Sequence, residues 1–270
     1  MIDGQITNRG IWMARGGNGR RLLVLLHGLG ANASVWERMI PLIRASWDGQ
    51  WVAPDLRGHG RSIQEGPYGY GVHATDIADI VNAAQATDVM LVGHSFGGVV
   101  AALAATGWFG IPVRAVAAFG VKIEWSAEEV TKAHELSRKA VRAFVSRAQA
   151  IERYLKLSGL LGLLDPSSET AALGVFGTDG DYRVAMDPRA YGAVGPSVAS
   201  LLRLCEAPLR LAAGDRDAMV TLDQMRDIDP AARVFEGVGH NAHLEAPERV
   251  WNFIAGCRDE QGRPPRQPEP

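Results

Sequence analysis

The chain has 270 residues, 47% of them hydrophobic, with 28 Lys and Arg against 30 Asp and Glu for a net charge of −2. A chain of this kind buries a sizeable core as one domain with an insertion, and its charge balance provides no field for nucleic acid or an anionic membrane. It opens with no basic-then-apolar signal pattern, holds no membrane-length apolar run, and has two cysteines, Cys205 and Cys257, without metal or redox spacing, so a cytoplasmic protein with two buried thiols is expected.

Gln5 to Ala14 and Arg20 to His27 read as strands joined through Gly16-Gly17-Asn18-Gly19, a hairpin signal. Leu22 to Leu26 is apolar without alternation, as in a strand covered on both faces. It ends in His27-Gly28-Leu29-Gly30, a glycine-bearing loop at the position where open α/β sheets place ligands. Ser34 with Glu37 predicts a capping box for a helix over Val35 to Ala45. Trp51 to Asp55 is the next strand. The dense turn after it, Asp55 to Ser62, reads as structural, with Asp55 and Arg57 tying the loop down by charge-assisted hydrogen bonds. Val72 to Ala86 carries Ile77, Ile80, Val81 and Ala84 at helical spacing.

The apolar run from Val89 then breaks into Gly93-His94-Ser95-Phe96-Gly97-Gly98, followed by an alanine-rich stretch. This predicts a strand, a sharp turn and a helix, with serine at the apex. Strand and helix pack so closely there that a Cβ at Gly93 or Gly97 would clash. The turn presents Ser95 Oγ at the helix amino end, where N–H groups and the helix dipole stabilise negative charge. Val113 to Gly120 is another strand. Strands alternating with helices to this point imply a parallel sheet.

The alternation stops at Ser126. A second capping box, Ser126 with Glu129, opens a long helical pattern from Val130 to Leu155, closed by Gly159. Between Ser126 and Leu157 it holds seven Lys and Arg against four Asp and Glu, read as a solvated face. Residues 122–196 are expected to form a helical cap over the sheet, with the turn-rich Gly174 to Gly180 loop as a gate and Trp125 and Phe176 binding substrate in a largely apolar pocket. The core resumes over 197–258. It contains a strand from Pro208 to Ala213 that ends in Gly214-Asp215-Arg216-Asp217, and a last strand from Ala232 to Glu236. Gly239-His240 follows, and Pro247 opens a final helix. Residues 259–270, proline-rich and polar, are expected to be a disordered tail.

Three groups thus fall at strand ends in the order Ser95, Asp217, His240. A serine hydroxyl needs a base to take its proton, histidine titrates near neutrality, and a carboxylate fixes the imidazole tautomer. His243 competes for the base and is expected to pack under the final helix. Asp215 and Glu124 compete for the acid, and the Gly-x-x-Asp spacing favours Asp217. His27 and His94 flank the site and are expected to brace loops.

With these motifs the chain from about Leu22 to Cys257 resembles an α/β-hydrolase fold enzyme with a helical cap, in the serine esterase-like branch. The matching pieces are His27 to Gly30, Asp55 to Ser62, Gly93 to Gly97, Gly214-x-x-Asp217, and Gly239-His240-x-x-His243-Leu244-Glu245-x-Pro247. The resemblance implies a mostly parallel central sheet flanked by helices, with residues 1–121 and 197–258 as core. It implies Ser95 as nucleophile, Asp217 as acid, His240 as base, and the Leu29 and Phe96 backbone N–H groups as oxyanion hole. Ser95 sets the chain apart from the dehalogenases and epoxide hydrolases of this fold, which carry Asp at the elbow. The expected activity is hydrolysis of a small carboxylic ester or lactone. Cleavage of a C–C bond in a diketone-like substrate, or ligand binding without turnover, are alternatives. No cofactor and no metal are implied, and a small-molecule substrate is the expected partner.

Overall fold

The structure, a computed structural model, describes residues 4–259. The expected tail lies outside the described residues except for Asp259, which ends the final helix, Pro247–Asp259. Ten strands form: β1 (Gly4–Ile6), β2 (Trp12–Gly16), β3 (Arg21–Leu26), β4 (Gln50–Pro54), β5 (Asp88–His94), β6 (Val113–Phe119), β7 (Val175–Thr178), β8 (Asp181–Val184), β9 (Leu209–Gly214) and β10 (Arg233–Phe235). All but β7 and β8 make one sheet in the order β1-β2-β4-β3-β5-β6-β9-β10. Pairing is parallel from β4 through to β10, while β1 and β2 join antiparallel at one edge.

The unalternating apolar run of β3 has the cause expected for it. Leu23 and Leu25 enter one hydrophobic core, and Leu22, Val24 and Leu26 enter another on the opposite face. The first core is closed by α1 (Ile40–Ser46) and the final helix, the second by α2 (Tyr70–Ala83) and α3 (Phe96–Ala104). Among the described residues no helix is long and apolar enough to cross a membrane. Cys257 is buried and Cys205 only half-buried.

Several local expectations give way to competing interactions. The hairpin lies between β1 and β2, turned at Thr7 to Gly10; the glycine run after β2 instead lets the chain cross β4, which separates β2 from β3. The Ser34–Glu37 capping box does not form. Asn32 caps a short 3-10 turn, its side chain accepting from Ser34 N at 3.0 Å, while Glu37 accepts a hydrogen bond from Thr170. The helix then starts later, at Ile40 with Pro41 in its first turn. In the Asp55–Ser62 turn, Asp55 accepts from Ala33 N and from Arg61, and Arg57 forks onto Asp76 at 2.7 and 2.8 Å, buried with it.

The stretch between β6 and β9 contains α4 (Ala127–Ser137), α5 (Arg147–Leu157) and the β7–β8 hairpin. The single long helix expected across Val130 to Leu155 is therefore two. Phe144 is extended and pairs with Tyr182, exchanging backbone hydrogen bonds of 2.8 and 3.0 Å, and Ser146 caps a new helix start by accepting from Gln149 N. A strand partner distant in sequence overrides local helical periodicity. The expected gate loop at Gly174 to Gly180 lies largely within that hairpin. This whole unit docks on the loops at the carboxyl ends of β3 and β4, with Asn32 Nδ2 donating to Tyr154 Oη, Gly60 N to Ala185 O, and Tyr68 Oη to Asp187 at 2.6 Å.

Candidate active site

Ser95 sits between β5 and α3 with φ 52° and ψ −117°, a left-handed conformation that non-glycine residues rarely adopt. Its N–H donates to Phe119 O at 2.9 Å, which pins the turn to the neighbouring strand. A Cβ on Gly93 would run into the Gly97 backbone, and one on Gly97 into the Leu26 carbonyl, so both glycines are needed for the close approach.

Asp217 follows β9 and is buried. One carboxylate oxygen accepts from Met219 N at 2.9 Å, and the other accepts from His240 Nδ1 at 2.7 Å. That bond makes Nδ1 the protonated nitrogen and leaves Nε2 of a neutral ring as an acceptor. His94, the residue before Ser95, donates from Nε2 to the His240 carbonyl at 2.9 Å, and the two rings lie 4.7 Å apart. The serine turn and the histidine loop are thereby tied directly together. Sequence reading gave His94 a bracing role; what it braces is visible only in three dimensions.

The competing residues are occupied elsewhere. Asp215 accepts from Gly237 N and Val238 N and so shapes the loop that leads to His240. Glu124 accepts from Gln224 at an exposed site. His243 is fully buried against Trp36, His94 and Phe119, with neither ring nitrogen hydrogen-bonded. Burial pushes its pKa down to about 3.

Leu29 lies on a loop held by His27, which donates from Nδ1 to Gly28 O and accepts from Leu56 N at Nε2, both at 2.8 Å. A methyl group at Gly28 would lie 3.3 Å from Ser95 Cβ, so this loop runs against the serine. The Phe96 N–H is the first of α3 and has no intrahelical acceptor. Trp125 and Phe176, expected as substrate contacts, do not line the cleft bounded by Leu136, Phe144, Leu157, Val184 and Met186. Trp125 packs beside Lys122, and Phe176 points outward, 49% exposed. Among the described residues no cluster of His, Cys, Asp or Glu is placed to hold a metal ion.

His27, His59, His73, His94 and His243 are all buried, and desolvation is the largest cause lowering each pKa below 6.5, to about 3 for His73 and His243. The unfolded chain binds protons at these positions as pH falls below 6.5, and the folded chain does not. Stability should therefore fall as pH drops below about 6.5, with His73 and His243 each adding up to about 1.4 kcal/mol per pH unit to the slope down to about pH 3, and His27, His59 and His94 acting in the same direction. Urea midpoints at neutral pH and at pH near 5 measure this; a midpoint that stays flat would contradict it.

Residues 23–253 match the model of the Alpha/beta hydrolase family. Over 251 residues the chain is 28% identical to the magnesium-chelatase 30 kDa subunit of Rhodobacter capsulatus, covering 86% of this chain and 85% of that one. A shorter stretch of 89 residues is 39% identical to the pimeloyl-(acyl-carrier protein) methyl ester esterase of Edwardsiella ictaluri, covering 33% of this chain and 32% of the esterase. The crystal structure of E-2-(acetamidomethylene)succinate hydrolase superposes with a TM-score of 0.77 at 22% identity, over 96% of this chain and all of that one, a likeness of fold. With the mostly parallel eight-stranded sheet and a family match that takes in six of its strands, from β3 to β10, the chain belongs to the alpha/beta hydrolase family.

Proposed function

We propose that the protein is a serine hydrolase that cleaves a small carboxylic ester or lactone through an acyl-enzyme on Ser95. The observation that carries this reading is the 2.7 Å Asp217–His240 bond beside a serine held at φ 52° on the amino end of α3. In this mechanism His240 Nε2 takes the Ser95 proton as Oγ attacks the carbonyl carbon. The Leu29 and Phe96 N–H groups receive the charge that develops on the carbonyl oxygen. His240 then gives its proton to the leaving alcohol, and later activates the water that releases the acid. Asp217 keeps Nδ1 protonated throughout and stabilises the imidazolium. The named esterase that shares a stretch of this sequence supports the same chemistry.

The test is kcat/KM across p-nitrophenyl esters from acetate to palmitate, together with fluorophosphonate labelling. Short esters should be preferred and Ser95 should carry the label. Preference for palmitate would rule out a small pocket. A labelled Ser95 with every ester and lactone inert would redirect the assignment to C–C bond cleavage.

A further inference from the structure

We propose that the cleft between α4, α5 and the β7–β8 hairpin binds a free carboxylate of the substrate, so that the preferred ester carries an anionic second end; this rests on Ser95 acting as the acyl acceptor. The cleft encloses about 250 Å³. Its floor is apolar, formed by Phe144, Leu157, Val184 and Met186. Its rim holds Lys139, Arg142 and Arg153, and no carboxylate lines it. Among the described residues none of these three cations forms an ion pair. Two acids of the same segment are used elsewhere: Glu129 pairs with Lys122, and Glu152 with Lys156. Arg142 lies 4.8 Å over the Phe144 ring. Three of the seven cations read in the sequence as a solvated face thus converge on one cleft.

An unopposed cationic rim above an apolar floor suits a small amphiphile with a carboxylate at one end. Guanidinium forks match carboxylate geometry, and the cavity is too small for a nucleotide or a long chain. The floor of the cleft packs against the loop that runs beside the serine. A methyl at Gly30 would lie 3.3 Å from Leu157 O and 3.7 Å from Met186 Sδ, both in residues of the floor, whereas one at Gly28 would lie 3.3 Å from Ser95 Cβ. Gly28 and Gly30 are two residues apart, a span of at most about 7 Å. That separation is within the length of a short acyl chain, whose carbonyl would sit at Leu29 N–H and whose far end would lie at the cleft.

The experiment compares p-nitrophenyl hemiglutarate with p-nitrophenyl 5-methylhexanoate, in which an isopropyl group replaces the carboxylate. Exposed ion pairs are individually weak, so the three cations together should favour the anionic ester about tenfold in kcat/KM, and less at high salt. In the K139Q/R142Q/R153Q variant that ratio should fall to near one. All three side chains are exposed, so the substitutions leave the core intact. No preference in the parent, or a preference the variant retains, overturns the proposal while turnover of the neutral ester upholds the acyl-transfer reading. If neither ester is turned over, the acyl-transfer reading has failed, and calorimetry decides the cleft: Ser95→Ala protein should bind monobenzyl glutarate about tenfold more weakly once the three cations are neutralised, and an unchanged Kd overturns the site.

Discussion

Ser95→Ala should lower turnover on the order of a thousandfold or more while leaving the melting temperature near that of the parent. Alanine keeps the Cβ and the backbone contacts of the turn, so only the attacking oxygen is lost. His240→Ala should lose a similar amount, and the double variant scarcely more, because nucleophile and base act as a unit. His243→Ala behaves differently. It empties space among Trp36, His94 and Phe119, so its effect should appear in thermal stability rather than in turnover per folded molecule. Steady-state kinetics on folded protein, paired with melting curves, checks all four. A severe kinetic defect in His243→Ala beside a mild one in His240→Ala would reassign the base.

Asp217→Asn should slow turnover on the order of ten-thousandfold with little change in fold. The amide oxygen can still accept from Met219 N, so the loop keeps its anchor. The amide nitrogen would then face His240 Nδ1. Two donors cannot share that contact, so the ring is driven to the other tautomer, with Nε2 protonated and unable to take the Ser95 proton. Asp215→Asn keeps an oxygen for Gly237 N and Val238 N and should cost far less, visible as a small loss of stability. The kcat ratio of the two variants is the readout. Equal effects would remove Asp217 from the role of acid.

The sheet and the positions of Ser95, Asp217 and His240 beyond its strand ends were legible because each rests on local chemistry. A strand covered on both faces needs unbroken apolar residues, as at Leu22 to Leu26, and a tight strand-to-helix turn needs glycine at 93 and 97. The stretch between β6 and β9 was legible as a break in the strand–helix alternation and not in its parts. Helical spacing continues through residues 138–146, and only Tyr182, far along the chain, makes Phe144 extended. Asp55 and Arg57 were marked as a loop clamp, but Asp76 lies on a helix whose apposition is set by tertiary packing. The convergence of Lys139, Arg142 and Arg153 is likewise invisible in a charge count, because Lys139 and Arg142 lie in the connection between α4 and α5 and Arg153 on α5, and tertiary packing alone brings them to one cleft.

The conformation at residue 95 has a consequence for stability. A non-glycine residue in this region of backbone space costs on the order of 1–3 kcal/mol, whereas glycine occupies it freely. The surrounding strand, helix and histidine loop over-determine the turn and absorb that cost. The fold would therefore be more robust with glycine at this position, and the side chain proposed as nucleophile is held where it weakens the protein. Any change that loosens the elbow, even one distant from the pocket, lets Ser95 relax towards ordinary backbone angles and withdraw its hydroxyl from its neighbours. If Ser95 is the nucleophile as proposed, activity and thermal robustness pull in opposite directions at a single residue.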